Sequence, residues 1–353
     1  MTLATRSLGS SGLAITTVGF GAWAVGGGEW GPQDDAESIA AMRRALELGI
    51  NWIDTAAIYG HGHSEEVVGR LLRALPAGER PLVFTKCGIV WDDRNPAAEA
   101  RWVLEPKSIR REAEDSLRRL GVERIDLYQF HRPDQTGTPI EDSWATMLRL
   151  VAEGKVRAAG VSNFDVGLLV RCEALRHVDS LQPPFSLIRR EAATNEIPWC
   201  AAHATGVIVY SPMQSGLLTD SFRAARVATL PAADWRRRNP EFQEPNLAKN
   251  LALRDALLPI ARRHGTTVSA VAVAWTQAWP GVTGAIVGAR RPAQVDGWIG
   301  AAALELGGRD LDAIAAALAR TGAGAGPAHP AAGAGAGAGA GGVTTRRQGA
   351  GDG

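Results

Sequence analysis

The chain has 353 residues, 45% of them hydrophobic and 21% charged, which suffices for one large α/β barrel or two mid-sized domains. Its 38 basic and 37 acidic residues leave a formal net charge of +1, excluding a global field that would gather nucleic acid or an anionic membrane and pointing to a small-molecule partner. Three cysteines (Cys87, Cys172, Cys200), odd in number and without CxxC spacing, argue against a disulfide framework or a structural zinc.

The N-terminal MTLATRSLGS lacks the apolar region of a signal peptide, and no stretch approaches the roughly 20 apolar residues of a membrane helix. The expectation is a cytoplasmic protein. Next, RSLGSSGLAITT reads as a β-hairpin around Ser10, Ser11 and Gly12 that would close the N-terminal end of a barrel, although a floppy leader has the same pattern. From residue 16 to 320, β-rich runs alternate with amphipathic stretches, the pattern of a parallel α/β sheet or barrel. Strands are expected to end at VGFGAWA, NWIDTA, LVFTKCG, IDLYQFH, RAAGVSNF, SLQPPF, VIVYSPM and TGAIVGA. Helices are expected between them, for example SIRREAEDSLRRLG, stopped by Gly121, and EDSWATMLRLVAEG. This count suits a (β/α)₈ TIM barrel. One long insertion, from Gln214 to about Asn250, follows the seventh strand; on a βα connection it is placed to act as a lid. From about residue 321 Gly and Ala dominate, so the reading is a barrel over 1–320 and a disordered low-complexity tail over 321–353.

Catalytic groups of such barrels gather at the C-terminal ends of the strands. Strand 2 ends in Asp54 and is followed by Tyr59, strand 3 ends in Lys86, and strand 4 ends in His131. Together they make proton-transfer chemistry: a free phenol titrates near 10, an ammonium beside it is expected to lower that value, and a carboxylate holds the ammonium charged. His131 would orient a carbonyl oxygen or relay protons. Singly, each has an ordinary structural reading, as a turn cap, a rim ion pair or a satisfied strand-end histidine. It is their coincidence at neighbouring strand ends that points to function.

GINWIDTAAIYGHGHSEEVVG, LVFTKCG, IDLYQFHRPD, GVSNF and VYSPMQSGLLT resemble, in order, the signatures of the aldo-keto reductase superfamily over about residues 5 to 318. The resemblance implies a barrel without a Rossmann domain, NADPH or NADP⁺ extended across the strand-end face, and the tetrad Asp54, Tyr59, Lys86 and His131, with Tyr59 protonating the oxygen of a carbonyl substrate as hydride arrives. It also implies that Ser162, Asn163 and Gln182 hold the nicotinamide carboxamide and that Tyr210 stacks on its ring. Ser211, Pro212, Gln214, Gly216 and Leu217 would lie along the pyrophosphate, and Gly288, Ala289, Arg290, Arg291 and Gln294 at the adenosine 2′-phosphate, where arginine's planar fork suits phosphate. The chain departs from the shared pattern at Gly297 and Trp298, where an acidic residue and an asparagine usually touch the adenine, and at Phe185, where a tyrosine is frequent.

Two motifs are decoys. GFGAWA satisfies the dinucleotide fingerprint G-x-G-x-x-G/A, but GGGEWGPQ follows it instead of a helix. His61 and His63 have the HxH spacing of metal-dependent barrel hydrolases without that class's further strand-end ligands, so no metal is expected, and they read as turn residues before a helix capped by Ser64. Of the 11 tryptophans, Trp23 and Trp91, together with Phe164, are placed to overlook the carbonyl site, with Trp30 and Trp235 as weaker candidates. The rival to carbonyl reduction is a nucleotide-sensing regulatory subunit, similar to potassium-channel β-subunits of this fold. The physiological substrate and the oligomeric state stay open at this level.

Overall fold

The computed structural model describes residues 3–330 apart from positions 93, 96, 97 and 233. The chain opens with an antiparallel hairpin, β1 (Thr5–Ser7) and β2 (Ala14–Thr16), with Arg6 opposite Ile15. Gly9 turns at φ +54°, and a Cβ there would lie 2.4 Å from the backbone of Ala204 and Gly206, so only glycine lets the hairpin lie this close to the barrel. Leu8, Leu13 and Ile15 are fully buried against Trp52, Phe84, Leu127 and Ile208 from inside the strands. The hairpin is therefore the barrel's bottom plug, and apolar burial at three of its positions rules out the floppy leader.

All eight expected strands form, and all are parallel. In chain order they are β3 (Val18–Gly21), β4 (Trp52–Asp54), β5 (Leu82–Cys87), β8 (Ile125–Phe130), β9 (Val156–Ser162), β10 (Ser180–Gln182), β11 (Gly206–Tyr210) and β12 (Val282–Gly288), with β12 closing onto β3. Between β5 and β8 a small flap unforeseen in the sequence, β6 (Ile89–Val90) paired with β7 (Arg101–Trp102), rises from the rim. Around the barrel run α1 (Asp35–Glu47), α2 (His63–Arg73), α3 (Pro106–Leu120), α4 (Ile140–Ala152), α5 (Val166–Glu173), α6 (Glu196–Ala202), α7 (Ala225–Thr229), α8 (Asn246–Arg263), α9 (Val268–Gln277), α10 (Pro292–Asp296) and α11 (Gly308–Thr321). Local chemistry sets their ends: Asp34, Asp165 and Thr267 cap α1, α5 and α9 through their side chains, and Gly121 stops α3 in the left-handed region. No described helix is long and apolar enough to cross a membrane.

Two expectations need correcting. Ser64 is not the cap of α2: the helix starts one residue earlier after the left-handed Gly62, and the buried Ser64 hydroxyl donates to the Ala22 carbonyl at 2.8 Å, tying α2 to β3. The insertion after β11, expected as a lid, is a string of helical turns whose Phe222 and Phe242 enter the core. The ordered chain also runs past the boundary expected at 320. Ala323 is buried, Ala325 donates to the Ile188 carbonyl at 3.2 Å and accepts from the Arg190 amide at 3.0 Å, and the Arg190 guanidinium reaches the carbonyls of Ala323 and Gly326. Gly324 makes this approach feasible, since a Cβ there would sit 1.9 Å from the Ile188 oxygen. Composition weighs side-chain burial and overlooks such main-chain docking. The rest of the expected tail, 331–353, lies outside the described residues.

Candidate active site

Backbone strain marks one end of the barrel. Six described non-glycine residues have positive φ, and five of them (His61, Asn163, Ser211, Gln214, Ser215) lie on loops leaving the C-terminal ends of β4, β9 and β11. Such conformations cost energy and concentrate where a site needs them.

At this end β4 and β5 are in register with Asp54 opposite Phe84, which brings Asp54 and Lys86 to the same rim. Lys86 is almost fully buried, and its ammonium makes three hydrogen bonds: to Asp54 Oδ1 at 2.5 Å, to the Thr55 carbonyl at 2.9 Å and to the Tyr59 hydroxyl at 3.4 Å. The second carboxylate oxygen of Asp54 accepts from Gln182 Nε2 at 2.9 Å, so both ends of the carboxylate are held. Tyr59 sits on a turn whose backbone packs directly on that of Gly26; a Cβ on Gly26 would come within 2.6 Å of the Tyr59 carbonyl carbon and push the phenol away. The His131 ring meets the Tyr59 ring edge-on at 5.6 Å, and its backbone is clamped from both sides, the amide donating to Cys87 O and the carbonyl accepting from Asn163 Nδ2. The four expected residues thus converge.

Their electrostatics differ from expectation in one respect. Burial, reinforced by the Asp54 charge, raises the Tyr59 pKa well above that of a free phenol; Lys86 does not depress it. The reason is that Asp54 balances the ammonium at 2.5 Å, leaving the phenol a neutralised pair instead of a bare cation. Burial lowers the Lys86 pKa while Asp54 opposes that shift. His131 is pushed well below its ordinary value by burial, with Lys86 and Arg132 adding to the shift, so the imidazole is neutral at physiological pH. A protonated phenol beside a neutral imidazole is one proton donor and one hydrogen-bond donor, not two acids.

The wall above this set is aromatic. Trp23 lies 6.2 Å from the Tyr59 ring, stacks on Trp235 of the insertion at 5.6 Å and meets Trp30 edge-on at 5.1 Å. The two tryptophans given less weight in the sequence therefore complete the wall. Trp91 stacks on His61 at 5.2 Å, and His63 turns the other way to pair with Asp35 at 2.8 Å, so the HxH histidines diverge. Phe164 does not overlook the opening: it is 3% exposed and stacks on Phe130 behind the wall, because the left-handed Asn163 before it turns the chain inward.

Residues 17–319 match the model of the aldo/keto reductase family. The chain is 34% identical to the aldo-keto reductase YhdN of Bacillus subtilis (strain 168), over 82% of this chain and 86% of that protein. It is also 34% identical to the NADH-specific methylglyoxal reductase of Escherichia coli (strain K12), over 82% and 90%. The glycerol dehydrogenase AKR11B4 of Gluconobacter oxydans superposes with a TM-score of 0.82 at 38% identity, covering 91% of this chain and 97% of that one. The chain belongs to the aldo/keto reductase family.

As a family member it should hold a nicotinamide dinucleotide along the rim, and the rim's backbone fits one. Ser211, Gln214, Ser215 and Gly216 form a run of left-handed residues after β11, the kind of backbone concavity that turns amides towards a phosphate, and a Cβ on Gly216 would meet nothing within 4 Å. Pro212 lies within this turn. Tyr210, half-buried, donates to Asn163 Oδ1 at 2.9 Å, and Ser162 donates to the Gln182 carbonyl at 2.8 Å, which locks the loop that would face the ring.

Several side chains expected on the cofactor point elsewhere. Gln182 serves Asp54; Gln214 turns inward to accept from Ser186 at 3.0 Å; Leu217 and Ala289 are buried. Gln294 accepts from the amides of Arg290 and Arg291, capping α10. Arg290 reaches Gln33 and the carbonyls of Trp30 and Pro32, stitching the loop after β3 to that after β12. Buried Gln182 and Gln214 had to find partners within the protein. Arg291 remains exposed, 3.3 Å from Glu37. At the adenine position Trp298 is buried, and the Gly297 carbonyl accepts from Thr267.

Proposed function

We propose that this chain reversibly reduces aldehydes or ketones to alcohols with NADPH, and that Tyr59 is its general acid. The observation that carries the reading is the buried Lys86 ammonium, bonded at once to Asp54 and to the Tyr59 hydroxyl beside a neutral His131. The bound nicotinamide supplies a hydride to the carbonyl carbon, or accepts one in the reverse direction. His131 donates a hydrogen bond that aligns the carbonyl oxygen. Tyr59 gives its proton to that oxygen, and its hydroxyl oxygen keeps the Lys86 hydrogen bond, which strengthens as the phenol becomes phenolate. The high phenol pKa keeps this acid loaded at neutral pH, and solvent reprotonates it after product leaves. Trp23 and Trp235 exclude water from the exchange.

The names of two relatives, a methylglyoxal reductase and a glycerol dehydrogenase, support small carbonyl compounds or polyols as the substrate class. For the 2′-phosphate, Arg291 is the available cation, since Arg290 is held by carbonyls. Glu37 beside it would weaken the preference for NADPH over NADH, and one relative is named as NADH-specific. The test is steady-state oxidation of NADPH and NADH against methylglyoxal, nitrobenzaldehydes, sugars and steroid ketones. Turnover with at least one class and faster use of NADPH is expected. Tight nucleotide binding with no turnover would instead favour a nucleotide-sensing subunit.

A further inference from the structure

Arg132 follows His131 at the end of β8, half-buried on the rim. Its guanidinium lies 4.9 Å over the Trp102 ring at the base of the flap, and no hydrogen bond or ion pair joins it to any described residue. The other half-buried or buried arginines of this face are engaged: Arg236 grips Asp234, and Arg290 and Arg190 bind carbonyls. The neighbouring acids are engaged too. Asp54 is paired with Lys86, Asp92 accepts from the Arg94 amide, and Asp134 accepts from the amides of Leu104, Thr136 and Thr138.

Stacking on an aromatic face fixes a guanidinium plane but leaves its edge N–H groups open, so Trp102 holds Arg132 in place without satisfying it. Its charge acts on the site from there: Arg132 favours the ionised forms of Tyr59 and Tyr210 and disfavours the His131 imidazolium. A fork of donors beside a reaction centre, with no acceptor among the described residues, asks for one on the ligand.

We propose that Arg132 anchors an anionic end of the substrate, so that the preferred substrates are aldehydes or ketones carrying a carboxylate; this rests on the carbonyl-reduction reading above. A single guanidinium matches a monoanion, which selects a carboxylate over a dianionic phosphate. Arg132 touches the substrate's far end and sets specificity; it takes no part in proton transfer.

The experiment compares kcat/KM for 4-carboxybenzaldehyde and for 4-nitrobenzaldehyde, a neutral mimic of the same shape, in the wild type, Arg132→Gln and Arg132→Lys. For Arg132→Gln, the carboxylate substrate should lose about 10- to 100-fold, mostly in KM, the range for a lost charge-assisted hydrogen bond, and the nitro substrate under about threefold. Arg132→Lys should recover most of the loss, because it restores the charge without the fork. Equal losses on both substrates would reduce Arg132 to a support for Trp102, and no loss on the carboxylate would remove the anchor; either result overturns the proposal. Robust wild-type turnover of 4-nitrobenzaldehyde keeps the two levels apart: with it, those failures sink the anchor alone. If the wild type reduces methylglyoxal, sugars or steroid ketones but neither benzaldehyde, the anchor alone falls; if it turns over none of these carbonyls with NADPH or NADH, reduction itself falls and the anchor with it.

Discussion

The floor and the wall of this site are built differently. On the floor, Asp54, Lys86 and His131 stand at the ends of hydrogen-bonded strands, and the Lys86 ammonium is tied to Asp54, the Thr55 carbonyl and the Tyr59 hydroxyl. On the wall, Trp23, Trp30 and Trp235 come from the loop after β3 and the insertion after β11, held by ring contacts of 5.1 to 5.9 Å. The indole N–H groups of Trp30 and Trp235 are buried without a partner. A floor of satisfied polar groups on a rigid sheet holds one geometry; an apolar wall on loops adapts to what it encloses. We therefore assign proton transfer to the floor and, apart from the Arg132 anchor, substrate choice to the wall.

The hardest blow to the floor should be Tyr59→Phe, which keeps the ring and removes the acid. Single-turnover hydride transfer, followed by loss of NADPH absorbance, should slow by roughly 10² to 10⁴ while NADPH still binds. Lys86→Met should do comparable damage by stranding the Asp54 carboxylate in a buried site, and the double variant should lose little more than either single one. Near wild-type rates for Tyr59→Phe would move the acid elsewhere and end the division between floor and wall.

On the wall, Trp235→Ala should leave methylglyoxal reduction nearly unchanged while lowering kcat/KM for 4-nitrobenzaldehyde by about fivefold, since an aromatic pair is worth about 1 kcal/mol beyond its burial. A large loss with both substrates would mean that the insertion shapes the floor as well. At the cofactor end, Arg291→Ala should raise KM for NADPH several-fold and leave NADH unaffected, and Glu37→Gln should lower KM for NADPH. Arg290→Ala, by contrast, should harm both cofactors alike, because it loosens two loops.

The smallest effects lie farthest from the site. Ending the chain after residue 330 should leave the melting temperature unchanged, whereas ending it after Gly322 should lower it by a few degrees through loss of the main-chain bonds to Ile188 and Arg190. Glu112 adds a pH signature. Burial raises its carboxyl pKa to about 7 from 4.5, so the stability it contributes is complete below the unfolded value and is lost as pH rises through 7. Glu112→Gln, still able to accept from the Gly88 amide, should melt higher than wild type at pH 8 and alike near pH 4.5. Parallel melting curves across that range would show that Glu112 does not titrate there.

Much of this was legible in residue order. Strand alternation and turn signals locate the eight strands, and because barrel topology sends every strand end to one rim, Asp54, Lys86 and His131 could be assigned to a common site without coordinates. The N-terminal hairpin and the Gly121 stop of α3 were local enough to read as well. What the order of residues could not contain is where a polar side chain finds its partner once the chain is folded. Gln182, Gln214, Gln294 and Arg290 each have several acceptors or donors within reach of a rim position, and only packing decides among them. The direction of the Tyr59 shift belongs to the same class, since it comes from burial of the phenol with the Asp54 charge adding to it. So does the open fork of Arg132, which becomes a feature only when no hydrogen bond or ion pair joins it to another described residue. Periodicity and topology are properties of the chain and survive as pattern; hydrogen-bond assignment and burial are properties of distance, and distance exists only in the folded protein.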